Sequence, residues 1–458
     1  MRILESARRL LAGLALRVDR TRRVARLATP VVLGSLSYTL LTVVDTAMLG
    51  RLGAVPLAAA GIAGVLYFAI AFPVSSVSVG TRTLTARRFG EGSEPQCGEV
   101  LRAGLGLACV IGGPIVVAAP WIARLIGPIL SGDAAVVSLG TTYLHLRLYG
   151  SGFMILNFVF QGFYAGIGET RHQMIASIFI TGTNILLDYA LIFGRWGAPE
   201  MGVQGAAIAT TIALGIGTVY FVAVTLRPRV RGRFLASRGL TAARHWVVPI
   251  VRLSLPIVGQ RFLSHGSWFA FFAVVARIGT IELAATNIIR SIYNLSIMLA
   301  VGLGTAAAAL VGQRLGAREP EDAEGLAWES VKLAAYAMTA VGLLFIFVPG
   351  AVFLIYTSDP NVIAIGRLPL VALGFVQALA AVGLVLSQAL QGAGNTRFVM
   401  LAELAVCLGL YLPSVYVLGL KTPLGLVGAW TGEYIYWTAL AVVMSWKFRQ
   451  GGWKTIPL

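Results

Sequence analysis

Runs of about 20 apolar residues recur along the whole chain, and they restrict what it can fold into. A helix of that length crosses the roughly 30 Å hydrocarbon core of a bilayer and makes all its backbone hydrogen bonds internally. Charged residues make up only 12% of the chain, against about a quarter in soluble domains. The sequence therefore predicts an all-α polytopic membrane protein. Twelve spans are expected, at residues 28–50, 57–80, 100–123, 138–164, 173–194, 202–226, 250–275, 283–310, 331–355, 366–390, 398–420 and 425–446.

The net charge of +17 is distributed unevenly. If both termini are cytoplasmic, 27 of the 36 Lys and Arg residues fall in cytoplasmic segments. Because positively charged loops stay on the cytoplasmic side, this bias predicts a multi-pass protein of the plasma (inner) membrane with both termini inside. Attraction to anionic lipid explains the excess charge, so the lipid bilayer is an expected partner and nucleic acid is not.

The chain consists of two copies of one unit, which align when the sequence is shifted by 226 residues. Pro30 then falls on Pro256, and GIGETR (166–171) falls on GAGNTR (392–397). Farther on, a shift of 223 places Gly205 on Gly428. Each copy holds six spans, an even number, so both insert the same way up and are related by a pseudo-twofold axis along the membrane normal.

The repeat predicts the domain organisation. The parts are a basic amphipathic cytoplasmic segment (1–27), a six-helix lobe (28–226), a cytoplasmic linker (227–249), a second six-helix lobe (250–446) and a cytoplasmic tail (447–458).

Two spans carry a narrow polar stripe that ends in an aspartate. The stripe on the fifth span consists of Ser177, Thr181, Asn184 and Asp188, and that on the first span of Ser35, Tyr38, Thr42 and Asp45. Spacings of three and four residues place each set on one helix face. Hydroxyl and amide groups also join helices inside membranes, but a charge within the bilayer is costly and usually functional.

A cation-coupling site is predicted where these stripes meet, formed by Asp45, Asn184, Asp188 and Thr210. Burial and mutual repulsion favour the neutral form of a carboxyl group, which makes a proton one candidate ion. The same oxygens suit Na⁺, a hard cation, so both ions remain open. The repeat places Phe271 and Ser414 at the positions of the two aspartates. The prediction therefore assigns coupling to the amino-terminal lobe.

Other polar residues within the spans are candidates for a substrate cavity. They are Tyr38, Thr42, Asn157, Gln161, Thr181, Gln260, Arg261, Ser264, Asn287, Glu403 and Glu433. For Asn157 and Gln161, packing between helices is an equal alternative. For Glu433 the alternative is pairing with Arg261, with Arg290 or with a group at the outer side of the membrane. His145 and Arg147, near the outer end of the fourth span, are expected to extend their polar ends towards the membrane surface.

Several long segments resemble the multidrug and toxic compound extrusion family. They are VVDTAMLGRLGAVPLAAAGIAG (43–64), NILLDYALIFG (184–194), GVQGAAIAT (202–210), VGLGTAAAALVGQRLGA (301–317) and LQGAGNTR (390–397). The resemblance runs nearly end to end and implies two six-helix lobes and cation-driven export of mostly amphipathic organic cations. Within the family the chain resembles the DinF-like branch, which implies coupling roles for Asp45, Asn184, Asp188 and Thr210. The acids on which NorM-like members rely are replaced here by Ser264 and Ala380.

The sequence thus favours a secondary active antiporter, monomeric, that exchanges a small organic substrate for H⁺ or Na⁺ by alternating access. No other cofactor is expected. Enzymatic activity is not expected either, because the chain lacks P-loop, metalloprotease and Ser/His/Asp signatures. Two alternatives remain open. One is an exporter of a lipid-linked or anionic metabolite from the same superfamily. In that case Arg261 and Arg290 would bind the anionic ligand. The other is a non-transporting scaffold with its polar stripes packed shut.

Overall fold

The structure, a computed structural model, describes residues 16–129, 131–235 and 243–458. Within these ranges every regular element is a helix. Residues 1–15 of the predicted basic segment and residues 236–242 of the predicted linker lie outside the described residues. The predicted all-helical membrane fold is confirmed.

Ten of the described helices are long and apolar enough to cross a bilayer. The other two predicted spans are the fourth, which consists of two consecutive helices, and the twelfth. In chain order the twelve spans are Val18–Gly50, Ala54–Val74 continued by Val77–Gly90, Glu94–Ile126, Ala134–Tyr149 continued by Ser151–Gly166, Arg171–Phe193, Val203–Thr225, Val247–Ile278, Thr280–Gly316, Pro320–Phe347, Pro360–Gly392, Thr396–Val406 continued to Leu420, and Gly425–Arg449. Short helical segments at Gly127–Ile129, Pro228–Phe234, Pro349–Leu354 and Gly452–Thr455 lie between or after them.

Equivalent positions of the two copies use the same local chemistry. Asp133 caps the fourth span by accepting a hydrogen bond from the Ala135 amide at 2.8 Å, and Asp359 caps the tenth span through the Asn361 amide at 2.9 Å. The turns after the fourth and tenth spans contain Gly168 (φ +81°) and Gly394 (φ +95°), in a conformation that favours glycine. The sequence repeat is therefore also a repeat of helix ends.

Contacts divide the chain into two compact units, and the division falls inside two helices. The amino-terminal unit comprises Leu33–His265 together with Leu458, and the carboxyl-terminal unit comprises the chain up to Val32 together with Gly266–Pro457. The first and seventh spans thus each contribute residues to both units. The division does not coincide with the lobe boundaries at 226/227 and 249/250 expected from the repeat.

The start of the first span is held within the carboxyl-terminal unit by acidic residues of the ninth span. The Arg17 amide and the Thr21 hydroxyl donate to Glu329 Oε1 at 2.6 and 2.8 Å. Arg20 lies 3.1 Å from the Asp322 carboxylate. Because several donors share two carboxylates, this end of the first span has a fixed position in the unit.

Besides the fourth span, which is divided at Gly150, two of the described spans depart from regular α-helix. The second is interrupted at Ser75–Ser76, where Arg261 donates to the Phe72 carbonyl at 2.8 Å and to Ser75 Oγ at 2.7 Å. The eleventh contains a π-helical turn, Cys407–Tyr411. Pro413 follows that turn, and because it has no N–H it cannot bond the Gly409 carbonyl as a regular helix requires.

Neighbouring helices approach each other closely at a pair of equivalent glycines. A Cβ added at Gly205 would lie 2.6 Å from the Leu191 carbonyl oxygen, and one at Gly428 would lie closer still to the Leu418 carbonyl oxygen. Small residues allow this kind of backbone approach in membranes. We expect Gly205→Ala and Gly428→Ala each to lower the free energy of unfolding by about 1–3 kcal/mol, because backbone must shift. Thermal unfolding in detergent measures this.

The matched control is Gly61→Ala, because a Cβ there has nothing within 4 Å. That variant should be as stable as the wild type or slightly more stable, since alanine favours helix. Equal unfolding temperatures for all three variants would show that the helices accommodate the added Cβ at Gly205 and Gly428 without loss of stability.

Candidate functional site

The polar stripe of the fifth span faces the interior of the amino-terminal unit. Asn184 and Asp188 are fully buried and Thr181 is almost so. The Thr181 hydroxyl donates to the Ser37 carbonyl of the first span at 3.1 Å. The two stripes predicted from spacing therefore meet.

Asp45 and Asp188 lie in direct side-chain contact. Both oxygens of Asp188, Oδ1 of Asp45 and the amide oxygen Oδ1 of Asn184 are buried and have no hydrogen-bond partner among the described residues. Two ionised carboxylates in contact repel each other, and buried oxygens without donors are costly. Binding of a positive charge between these carboxyl groups therefore removes both unfavourable contributions.

The sixth span completes this group of side chains. The Asn184 amide donates to the Thr210 hydroxyl at 3.2 Å, and that hydroxyl donates to the Ala206 carbonyl at 2.9 Å. The amide nitrogen of Asn184 is therefore engaged, which leaves its Oδ1 as a free acceptor. The structure brings together all four residues predicted for the coupling site; their role in coupling stays a prediction.

Arg147 is a member of the site that the sequence prediction placed wrongly. Its side chain does not extend to the membrane surface: it is 7% exposed, and its guanidinium lies 4.4 Å from the centre of the Tyr67 ring. Its charge acts on both Asp45 and Asp188, and its Nε and Nη1 have no hydrogen-bond partner within the described residues. The sequence did contain one indication that Arg147 is special to this copy, because its repeat-equivalent position is occupied by the uncharged Leu373.

Tyrosines surround the Arg147 guanidinium. Tyr38 contacts it, and Tyr67 and Tyr143 lie within range of its charge. The face of the Tyr67 ring stabilises the cation without neutralising it. With both aspartates ionised, two negative charges and one positive charge leave this cluster at −1. A single proton or a single Na⁺ makes it neutral, and neutrality is strongly favoured in a buried site.

Asn157 joins two helices through both its amide nitrogen and its amide oxygen. Its amide donates to the Leu214 carbonyl at 2.9 Å, and its Oδ1 accepts from Thr218 at 3.1 Å. The packing alternative is therefore favoured for this residue. We expect Asn157→Leu to lower the free energy of unfolding by about 1–2 kcal/mol, the range for hydrogen bonds between membrane helices, and to leave transport in place. Gln161→Leu, one turn away and half-buried, is the control.

The other candidates of the amino-terminal unit are less buried. Tyr38 and Gln161 are half-buried, while Thr42 is exposed and bonds only its own helix, at the Tyr38 carbonyl (3.2 Å). On the seventh span Gln260 and Ser264 are half-buried, and Ser264 donates to the Gln260 carbonyl at 3.0 Å.

Arg261 has a structural role. Besides its hydrogen bonds to the break in the second span, its guanidinium lies 4.3 Å from the centre of the Phe72 ring. These contacts add a charged donor at the break, where the Phe72 carbonyl also accepts from the Ser75 amide at 3.2 Å and from the Ser75 hydroxyl at 2.6 Å.

Three candidates belong to the carboxyl-terminal unit. Asn287 is exposed and donates to the Leu283 carbonyl of its own helix at 3.0 Å, whereas Glu403 and Glu433 are buried. The alternative that pairs Glu433 with Arg290 is wrong, because no ion pair joins these two residues within the described part of this unit. The Arg290 guanidinium instead lies 5.0 Å from the centres of the Trp268 and Phe272 rings.

Comparison with known proteins identifies the chain. The family model described as MatE matches residues 30–190 and 256–417, one match in each copy of the repeat. The chain belongs to the MatE family. The family resemblance predicted from the sequence is thereby confirmed, whereas the DinF-like branch stays a prediction.

MatE relatives match nearly the whole chain. The multidrug resistance protein PmpM of Pseudomonas aeruginosa is 30% identical over 446 residues, covering 94% of this chain and 91% of that protein. A probable multidrug resistance protein NorM of Thermotoga maritima is 28% identical over 439 residues, covering 94% and 93%.

Solved structures share the fold. An outward-facing multidrug resistance MATE family transporter of the MOP superfamily superposes with a TM-score of 0.86 at 23% identity, covering 97% of this chain and 98% of that chain. A MOP superfamily transporter from Pyrococcus furiosus also gives 0.86 at 23% identity, covering 94% and 95%.

Proposed function

We propose that this MatE protein is a multidrug efflux antiporter, driven by H⁺ or Na⁺ binding at Asp45 and Asp188. Support comes from the contact of the two carboxyl groups, their four-member oxygen cluster without donors, and the single counter-charge of Arg147. Relatives named as multidrug resistance proteins support organic substrates. Neutralisation of the cluster would favour one conformation and its ionisation the other, which couples ion entry to substrate exit.

The charge distribution supports an orientation with both termini cytoplasmic in the plasma (inner) membrane. We further propose that the protein acts as a monomer, as a transporter and not an enzyme, with the coupling ion as its only cofactor. Proton and Na⁺ both fit the oxygen cluster: a proton needs one lone pair, while Na⁺ takes several oxygen ligands.

Transport by the purified protein in liposomes tests this function. A fluorescent organic cation is loaded inside, and an inward gradient of either H⁺ or Na⁺ is imposed at fixed membrane potential. We expect one of the two gradients to accelerate efflux, and protein-free liposomes to give the leak. Equal efflux with and without both gradients would rule out antiport.

The exporter of a lipid-linked or anionic metabolite receives no support from Arg261, one of the two arginines assigned to it. The Arg261 guanidinium is committed to the break in the second span, whereas the Arg290 guanidinium lies beside two aromatic rings. Reading an anion requires guanidinium donors that are free to reach it.

A further inference from the structure

The carboxyl-terminal unit holds two buried carboxyl groups outside the site described above. Glu403 on the eleventh span is 6% exposed and Glu433 on the twelfth span is 4% exposed. The Trp437 indole N–H donates to Glu433 Oε1 at 2.8 Å, and the Tyr436 hydroxyl donates to Glu403 Oε1 at 3.1 Å. A buried carboxyl group is expensive in its ionised form and needs an explanation.

Glu433 lacks a counter-charge within the part of the chain that the structure describes. Among the described residues no Lys, Arg or His forms an ion pair with it, and the groups that act on its carboxyl are Trp437 and Tyr411. The basic side chain of this region is Arg290 of the eighth span, whose charge acts on the Tyr411 hydroxyl. Glu433 is therefore stabilised by the indole N–H of Trp437, a neutral donor, and not by a cation.

Donors without acceptors lie next to this carboxyl group. The hydroxyl oxygens of Tyr411 and Tyr293 are buried and have no hydrogen-bond partner within the described residues, and both side chains interact with Glu433. Tyr411 is the last residue of the π-helical turn, which changes the direction of its side chain relative to a regular helix. Buried hydroxyl groups without a hydrogen-bond partner are rare in proteins. A neighbouring carboxyl group whose charge changes explains why they are present here.

The chemistry of these neighbours selects the ligand. Na⁺ requires several lone-pair oxygens, whereas an indole N–H has only a hydrogen to offer Glu433. A proton needs the carboxylate alone. The hydrogen bonds support the ionised form, and burial supports the neutral form, so the surroundings suit a group that alternates between the two.

The repeat places this carboxyl group at a site equivalent to part of the amino-terminal cluster. With the shift of 223 residues Glu433 falls on Thr210, and with the shift of 226 Glu403 falls on Ser177. The positions of Asp45 and Asp188 are occupied here by Phe271 and Ser414. Each unit thus has acids where the other unit has uncharged residues.

We propose that Glu433, with Tyr411 and Trp437, forms a second proton-binding site, in the carboxyl-terminal unit, that exchanges its proton during the transport cycle. This rests on the proposed antiport, but not on coupling at Asp45 and Asp188. Besides Arg290, the titratable groups around Glu433 are Glu403, Cys407 and Tyr411 from the eleventh span, Tyr293 from the eighth, and Tyr434 and Tyr436 from its own helix.

Proton counting in liposomes tests the proposal. The number of protons moved per substrate is found from the pH gradient that just stops a known substrate gradient. We expect Glu433→Gln to move one proton fewer per substrate than the wild type. The control is Glu329→Gln, another buried acid of the same unit, which pairs with Lys332 at 3.3 Å and should leave the proton count unchanged.

An unchanged proton count in folded Glu433→Gln would overturn the proposal. Failure of the amino-terminal assignment gives a different result: Asp45→Asn and Asp188→Asn keep their coupling, and Glu433→Gln alone loses a proton. If no ion gradient drives efflux by the wild type, the antiport itself fails.

Infrared difference spectra of the purified protein between high and low pH test the protonation of Glu433 without a transport assay. This test also applies if the Glu433→Gln variant does not fold. We expect a protonated-carboxyl band that moves to higher wavenumber in Trp437→Phe, because the carbonyl loses its indole donor. The band should disappear in Glu433→Gln. A spectrum unaffected by Trp437→Phe would contradict the proposal.

Discussion

Asp188→Asn is expected to abolish the acceleration of efflux by an ion gradient. Asparagine keeps the shape of the side chain but can neither lose a proton nor offer a charged ligand to Na⁺, so the cluster no longer changes its charge by ion binding at this position. We expect gradient-driven efflux to fall by about 10- to 100-fold, the usual size of a coupling free energy. Asp45→Asn should have a similar effect, because the two carboxyl groups act as one pair.

The chain provides a matched control for this variant. Ser414 occupies the repeat-equivalent position on the eleventh span and is half-buried, so Ser414→Asn introduces the same amide into the twin helix. Its gradient-driven efflux should stay close to that of the wild type. Both variants should still bind the fluorescent substrate, which separates loss of coupling from loss of binding. Wild-type efflux in Asp188→Asn would remove the aspartate pair from the mechanism.

Arg147→Met is expected to be the most destabilising single change in the amino-terminal unit. Methionine fills much of the same space against Tyr67 but removes the single positive charge that faces two buried carboxyl groups. Removal of one partner from a buried charged group costs about 3–5 kcal/mol, because the remaining charge is left uncompensated. Unfolding by denaturant in detergent at neutral pH measures the loss.

A second substitution distinguishes charge from packing in this prediction. If the cost arises from uncompensated carboxylates, Arg147→Met combined with Asp188→Asn should recover about 1–3 kcal/mol relative to the sum of the single changes. Arg124→Met, near the end of the third span, is the control for loss of an arginine elsewhere and should cost little. Additive effects of Arg147→Met and Asp188→Asn would mean that guanidinium and carboxylates are energetically independent.

Periodicity predicted more of the coupling cluster than of its surroundings. Spacings of three and four residues place Asn184 and Asp188 on one face of a helix, and burial of that face follows because lipid excludes charge. The pattern within one helix does not say which other helix lies opposite. Tyr67 on the second span and Arg147 on the fourth span therefore could not be assigned to this cluster from spacing alone.

Arg147 was misplaced for a second reason. An arginine a few residues from the predicted end of a span usually reaches the interface with its long side chain. Here three tyrosines and two carboxyl groups hold it in the interior, and these partners come from four different helices. Only a tertiary arrangement reveals that such a set exists.

The repeat correctly predicted equivalent helix ends, but it did not predict where the ionisable residues lie. It correctly paired the caps Asp133 and Asp359, because backbone groups at helix ends need the same partners in both copies. It also assigned coupling to the first copy, because Phe271 and Ser414 occupy the positions of the two aspartates in the second copy. The buried Glu433, at the position equivalent to Thr210, is an acid that the second copy has and the first copy lacks. Scaffold positions stay equivalent between copies, while charged positions diverge.

The π-helical turn at Cys407–Tyr411 also determines how this chain tolerates changes of length. Loss of one residue from the turn, for example Gly409, would let an ordinary α-helix form there. Five residues of π-helix turn the chain through about the same angle as four residues of α-helix. Leu412–Leu420 would therefore keep their orientation around the helix axis, and residues such as Val415 would stay buried. A one-residue deletion rotates all following residues by about 100° in a regular α-helix, so it should be tolerated better in this turn than elsewhere in the same helix.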